Sequence, residues 1–179
     1  AKSLKAYKKI WTEQGSPLIY LTRDLSEKLA EALANRGIAT TYAMRYGEPS
    51  IAQQLHELKQ AGVEHFVVLP LYPQYSSTTT ASIYDDVVKE FNTWRHLPDF
   101  SFVSDYHEFD AYISAIAESI KAVWAQHGKH DLLVLSFHGL PELLTKLGDP
   151  YFYQCQRTAA LVAEQLGLPE TAWRLVFQS

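Results

Sequence analysis

Asp131-Leu132-Leu133-Val134-Leu135-Ser136-Phe137-His138-Gly139-Leu140-Pro141 is the stretch that decides the fold. Residues 132–136 are too apolar for a strand with a face in water, and behind them come an imidazole, a glycine and a proline. The run reads as a buried parallel strand whose carboxyl end delivers His138 to an irregular loop. Open α/β sheets bind ligands at that end. A neutral imidazole there suits metal ligation or proton acceptance near neutral pH. It suits equally a loop histidine that only hydrogen-bonds its neighbours, so other loops have to separate the two readings.

Outward from this strand, helix and strand alternate. Residues 23–36 read as a helix with Leu25, Leu29, Ala32 and Leu33 on one face and Gly37 as its stop. Residues 40–45 follow as a strand into the turn Tyr46-Gly47-Glu48-Pro49, and residues 51–61 as a helix with Leu55 and Leu58 inward. Residues 65–71 read as an apolar strand with Pro70 near its end, residues 80–94 as a helix, and residues 101–105 as a strand. Residues 109–124 carry Phe109, Tyr112, Ile113, Ile116, Ile120, Val123 and Trp124 at helical spacing. A helix over 150–166 and a strand over 173–177 complete the pattern. Strands separated by helices predict an α/β fold with Rossmann-like parallel sheets and helices on both faces. The polar break at residues 126–130 places a domain boundary between 1–128 and 129–179. Both ends read as cut, which makes the chain an internal piece of a longer protein.

The bulk properties exclude several classes. Of 179 residues, 47% are hydrophobic and 20% charged, ample for a core. A net charge of −4 with scattered basic residues lacks the electrostatic footprint of nucleic-acid binding. No apolar run reaches the ~20 residues of a spanning helix. A cytoplasmic protein is expected, with peripheral contact to a membrane surface left open. The single cysteine, Cys155, excludes a disulfide framework and reads as a buried or half-buried helix thiol. His56, His65, His96, His127 and His130 read as structural. Glycine-rich phosphate loops and the nucleophile elbow are missing from the sequence.

Under this topology three loops share one edge. Leu71-Tyr72-Pro73-Gln74-Tyr75-Ser76-Ser77-Thr78-Thr79-Thr80 supplies two aromatic rings, an amide and a hydroxyl run at a helix start. Helix N-termini attract anions, although such hydroxyls also simply cap helices. In Asp105-Tyr106-His107-Glu108 the last two residues read as the solvated start of the next helix in preference to a polar pair, and the third loop carries His138. Tyr72, Tyr75, Ser76 and Tyr106 are the candidate contacts for a flat apolar ligand bearing carboxylates.

Leu71-Tyr72-Pro73-Gln74-Tyr75-Ser76 with the threonines after it, then Ser136-Phe137-His138-Gly139-Leu140-Pro141, Gly148-Asp149-Pro150-Tyr151 and Phe177-Gln178-Ser179, resemble the ferrochelatases in order and spacing. Lys5-Ala6-Tyr7, Ile10-Trp11 and Gly15-Ser16-Pro17-Leu18 add to the likeness with the bacterial enzymes. The resemblance implies two Rossmann-like domains around a porphyrin cleft, and insertion of ferrous iron into protoporphyrin IX to form protohaem. The family's Ser-x-His-x-Leu-Pro motif puts the catalytic histidine at His138, as ligand of Fe2+, acceptor of a pyrrole proton, or both. Its glutamate partner would lie beyond Ser179, so the chain alone is expected to be inactive. Where Gln74 stands some members have histidine, and where Ser77 stands some have a cluster-ligating cysteine. No prosthetic group and no iron–sulfur cluster are therefore expected, and the expected partners are protoporphyrin IX and ferrous iron. A tetrapyrrole chelatase for cobalt or another metal, and a non-catalytic α/β module for small anions, remain as alternatives.

Overall fold

The structure, a computed structural model, describes residues 11–178. The likeness drawn from Lys5 to Ile10, the expectation about the two ends, and Ser179 itself lie outside those residues. The described chain divides into two compact units, one of residues 11–66 with Asp85–Phe100, the other of Val67–Tyr84 with residues 101–178.

The first unit begins with α1 (Pro17–Leu33), continued by a 3-10 turn (Ala34–Arg36) that stops at Gly37 with φ 67°. α1 starts six residues before the expected residue 23. The signal is Ser16-Pro17: proline at the first helical position lacks only an N–H that the helix would leave unpaired. The expected strand over residues 40–45 does not form. Its one ladder contact is the bridge of Met44 to Ser50, with Met44 N donating to Pro49 O over 2.8 Å. An extended segment becomes a strand only where a neighbour pairs with it, and among the described residues none does so beyond Met44. α2 (Ile51–Gln60) is capped by Ser50, whose Oγ accepts from Gln53 N, and buries Leu55. The core is aromatic: Phe91 lies 5.4 Å from Phe66, 5.0 Å from Trp94 and 5.1 Å from Phe100 between ring centroids.

β1 (His65–Val68), α3 (Thr80–Phe91) and β2 (Asp99–Phe102) form one crossover. His65 meets Asp99 at 3.5 Å where both strands begin, and Val103 N, one residue past β2, donates to the O of Val68, the last residue of β1, so the pair is parallel. β1 is shorter than the expected 65–71 because Leu69-Pro70 leaves the ladder, proline having no N–H to give. β2 is displaced two residues earlier than the expected 101–105.

The second unit is built on α4 (Asp110–His127), β3 (Leu133–His138), α5 (Glu142–Lys146), α6 (Tyr151–Gln165) and β4 (Trp173–Gln178). α4 buries Ile113 and Ala117 and packs on α6, which buries Cys155, Thr158, Ala159, Val162 and Ala163. These small residues let the helix backbones approach closely. Phe109 and Val123, expected on that inner face, are exposed. β3 and β4 pair in parallel, Leu133 opposite Trp173 through His138 opposite Gln178. The sequence expectation that β3 is buried on both faces is not met. Leu133, Leu135 and Phe137 are half-buried while Val134, Ser136 and His138 are exposed, because among the described residues only one face is packed. The architecture is nonetheless α/β, with parallel two-stranded sheets joined through helices. No described helix is long and apolar enough to cross a membrane.

Candidate functional site

His138 is the last residue of β3 rather than the first of the following loop, and its side chain is exposed. Its backbone is held on two sides. Gly139 N donates to Gln178 O over 2.6 Å, extending the ladder one step past His138. A Cβ on Gly139 would stand 3.3 Å from that same Gln178 oxygen, so the glycine permits the close approach. On the other side the Tyr151 hydroxyl donates to the His138 carbonyl over 3.1 Å. The imidazole itself has no hydrogen-bond partner among the described residues, which leaves both ring nitrogens available to an incoming group.

The loop of residues 71–80 is fastened to the start of α6. Asp149 is buried, and its Oδ2 accepts from Ser76 Oγ at 3.0 Å, Ser77 N at 2.7 Å and Ser77 Oγ at 2.8 Å. Its Oδ1 accepts from Tyr151 N at 3.0 Å, an Asx-type bond to the first residue of α6. Burial alone would raise the Asp149 pKa, but these donors favour the anion and the net shift is downward. Next along, Tyr75 N donates to Gln154 Oε1 over 2.6 Å. Gln74 is buried, with Nε2 donating to Thr158 Oγ1 over 3.0 Å, so its amide is committed to the protein and not held out for a metal.

The loop after β2 joins the same construction. Tyr106 N donates to Pro73 O over 2.9 Å, and the Tyr106 ring stands edge-on to Tyr112 at 5.5 Å. Burial, with a smaller contribution from Tyr112, pushes the Tyr106 phenol up to about 12. His107 is not the solvated residue the sequence led us to expect. Its Nδ1 lies 2.7 Å from Asp105 Oδ1, its side chain is mostly covered, and its carbonyl accepts from Thr158 Oγ1. Glu108 does lie at the surface, paired with Arg157 at 3.1 Å.

The candidates therefore fall into three kinds. His138 and Tyr72 are exposed, Tyr75 and Tyr106 are half-buried, and Ser76 is fully buried with its hydroxyl shared between Asp149 and Thr78. His138 makes no direct hydrogen bond to the other four; the link runs through Asp149 and Tyr151. In the sequence both residues stand in the Gly148-Asp149-Pro150-Tyr151 motif with no role attached. The available signal was an aspartate and a proline directly ahead of a helix, the pattern of a capped start. No group of three or more histidine, cysteine, aspartate or glutamate side chains able to hold a metal occurs among the described residues. Cys155 is buried beside Tyr151, and burial pushes its thiol up to about 11.

Parallel strands joined through helices, with an unpartnered imidazole at a strand's carboxyl end, define an α/β protein. Comparison with known proteins narrows this class. The family model described as Ferrochelatase matches residues 1–179, and the chain belongs to the ferrochelatase family. It is 49% identical to a ferrochelatase of Methylococcus capsulatus over 178 residues, covering 99% of this chain and 54% of that protein. It is 45% identical to one of Marinobacter nauticus (99% of this chain, 49% of that protein) and 45% identical to ferrochelatase 2 of Shewanella oneidensis (100% and 55%). The chain thus spans about half the length of the curated relatives it matches.

Proposed function

We propose that the whole protein inserts ferrous iron into protoporphyrin IX to form protohaem, in the cytoplasm, with His138 as its catalytic imidazole. Family membership supports the reaction class. The observation that carries the residue assignment is the exposed, unpartnered imidazole at the carboxyl end of parallel β3. Metallation removes two pyrrole N–H protons and delivers a metal to nitrogens shielded by a planar ring. An imidazole beside the ring centre accepts such a proton or holds Fe2+ on its way in. Fe2+ enters as substrate and no resident cofactor is proposed. Ser77, its hydroxyl and amide both engaged by Asp149, leaves no cluster-ligating thiol at that place.

Tyr72, Tyr75 and Tyr106 are proposed as ring contacts. Ser76 enters through the loop whose geometry it fixes, since its hydroxyl is buried. The residues up to 128 are proposed to belong to the first domain of the whole enzyme and those from 129 to the second; this division concerns the whole protein and is not the boundary between the two compact units above. The 179-residue chain, at about half the length of its relatives, is proposed to be a poor chelatase by itself.

The test is His138→Ala in the full-length enzyme, with metal insertion followed by porphyrin absorbance and binding by quenching of protoporphyrin fluorescence. Insertion is abolished while binding survives. Near wild-type turnover would remove His138 from the mechanism, and failure to bind protoporphyrin in the unmutated enzyme would remove the substrate.

A further inference from the structure

We propose that Asp149 and Tyr151 are positioning residues for metal insertion, Asp149 fastening the residue 71–80 loop and Tyr151 fixing the backbone of His138. The inference rests on the reading of His138 as the group that handles the proton or the metal. Its ground is the number and origin of the bonds gathered on three consecutive residues. An aspartate in an Asx-type turn ahead of a helix needs only a local N–H group, and Asp149 takes one, Tyr151 N at 3.0 Å. Its other oxygen takes three donors from residues more than seventy positions away: Ser76 Oγ, Ser77 N and Ser77 Oγ. That is more than the local turn requires, and it ties the tyrosine-bearing loop to the first turn of α6.

Tyr151 stands two residues on, across Pro150, whose ring limits the backbone between them. The phenol reaches back thirteen residues to the His138 carbonyl. A phenylalanine would fill the same space, so the hydroxyl is there for what it bonds. Gly139 N is already committed to Gln178 O, and the phenol supplies the anchor on the opposite side of the strand end. With the His138 peptide fixed from both sides, the imidazole can turn only about its side-chain torsions. The loop and the imidazole are thereby held in one frame by Asp149-Pro150-Tyr151.

Such a frame matters because catalytic groups lose efficiency steeply when displaced. A shift of about 1 Å can cost on the order of a hundredfold in rate, so loss of one anchoring hydrogen bond is set at about tenfold. Tyr151 and Asp149 are proposed to act through the groups they hold, His138 and the residue 71–80 loop.

The experiment uses the full-length enzyme, with zinc insertion into protoporphyrin measured at saturating substrates, porphyrin affinity by fluorescence quenching, and thermal unfolding alongside. Tyr151→Phe is expected to lower kcat about tenfold while porphyrin Kd stays within about twofold and the thermal midpoint is unmoved. Asp149→Asn, which keeps the shape but halves the acceptor oxygens, is expected to weaken porphyrin affinity about tenfold in addition to lowering kcat. His138→Ala is run in parallel. If it is inactive while Tyr151→Phe turns over like the wild type, the positioning role falls and the catalytic reading of His138 stands. If His138→Ala keeps its turnover, the catalytic reading falls and takes the positioning role with it. A loss in either variant that merely tracks the unfolded fraction, or an Asp149→Asn enzyme with unchanged Kd, overturns the proposal.

Discussion

The Thr158 hydroxyl lies 3.0 Å from Gln74 Nε2, accepting its proton, and donates its own to the His107 carbonyl 2.7 Å away. One buried hydroxyl on α6 therefore serves two loops that leave different strands. Thr158→Val keeps the volume and strands both partners. The expected cost is about 1–3 kcal/mol of stability, the penalty of buried polar groups left unpaired. Urea unfolding of the full-length enzyme reads it directly, and an unchanged midpoint would contradict the bridge.

Asp149 makes stability pH-dependent in a defined direction. Its pKa in the folded protein lies below the ordinary 3.8. The ionised carboxylate is therefore favoured by folding, and its stabilisation is complete above the unfolded-state value and lost as pH falls through the folded one. Asp149→Asn removes this dependence. The slope of the urea midpoint against pH on the acid side, near and below pH ~4, should be shallower in the variant. Equal slopes would place the carboxylate's donors elsewhere.

The thiol of Cys155 has no exposed surface, and burial pushes it up to about 11. Thiolate is the reactive form, so the native protein should resist alkylation at pH ~8 and react promptly in denaturant. Mass spectrometry of iodoacetamide-treated protein, native against unfolded, makes the comparison. Rapid native labelling would mean that α6 opens far more often than its packing implies.

Tyr72 and Tyr106 should separate under alanine substitution. Tyr72 is 41% exposed, so Tyr72→Ala should weaken porphyrin binding with little change in stability. Tyr106 is packed edge-on against Tyr112, and removing it should cost about 3 kcal/mol or more in stability besides any effect on binding. Fluorescence quenching and thermal unfolding on the same samples provide both numbers. Equal destabilisation by the two variants would refute the difference in packing.

Much of the fold was legible because it is written locally. The apolar run of β3, the helical spacing of α4 and the glycine after α1 each act within a few residues. Residues 40–45 misled because strand identity depends on a partner elsewhere, and only Met44 finds one. The exposed face of β3 misled for a similar reason: an apolar sequence states a preference for burial without supplying the layer that satisfies it. At the candidate site the histidine was legible and its supports were not. Ser76 and Asp149 are 73 positions apart, and nothing within either segment announces the other. His107 was misjudged in part because the donor to its carbonyl is Thr158 on α6, fifty-one residues on.

The register of β3 on β4 has a consequence for synthesis on the ribosome. Leu133 pairs with Trp173 and His138 with Gln178, each forty residues downstream, so parallel pairing must wait for the whole α5–α6 crossover. Chains emerge at roughly 5–20 residues per second, which keeps β3 without its neighbour for several seconds. During that interval Leu133, Val134 and Leu135 form an unpaired apolar edge, the kind of surface that chaperones bind. The end of the strand that presents His138 is thus ordered late, when Gln178 arrives to accept the Gly139 amide.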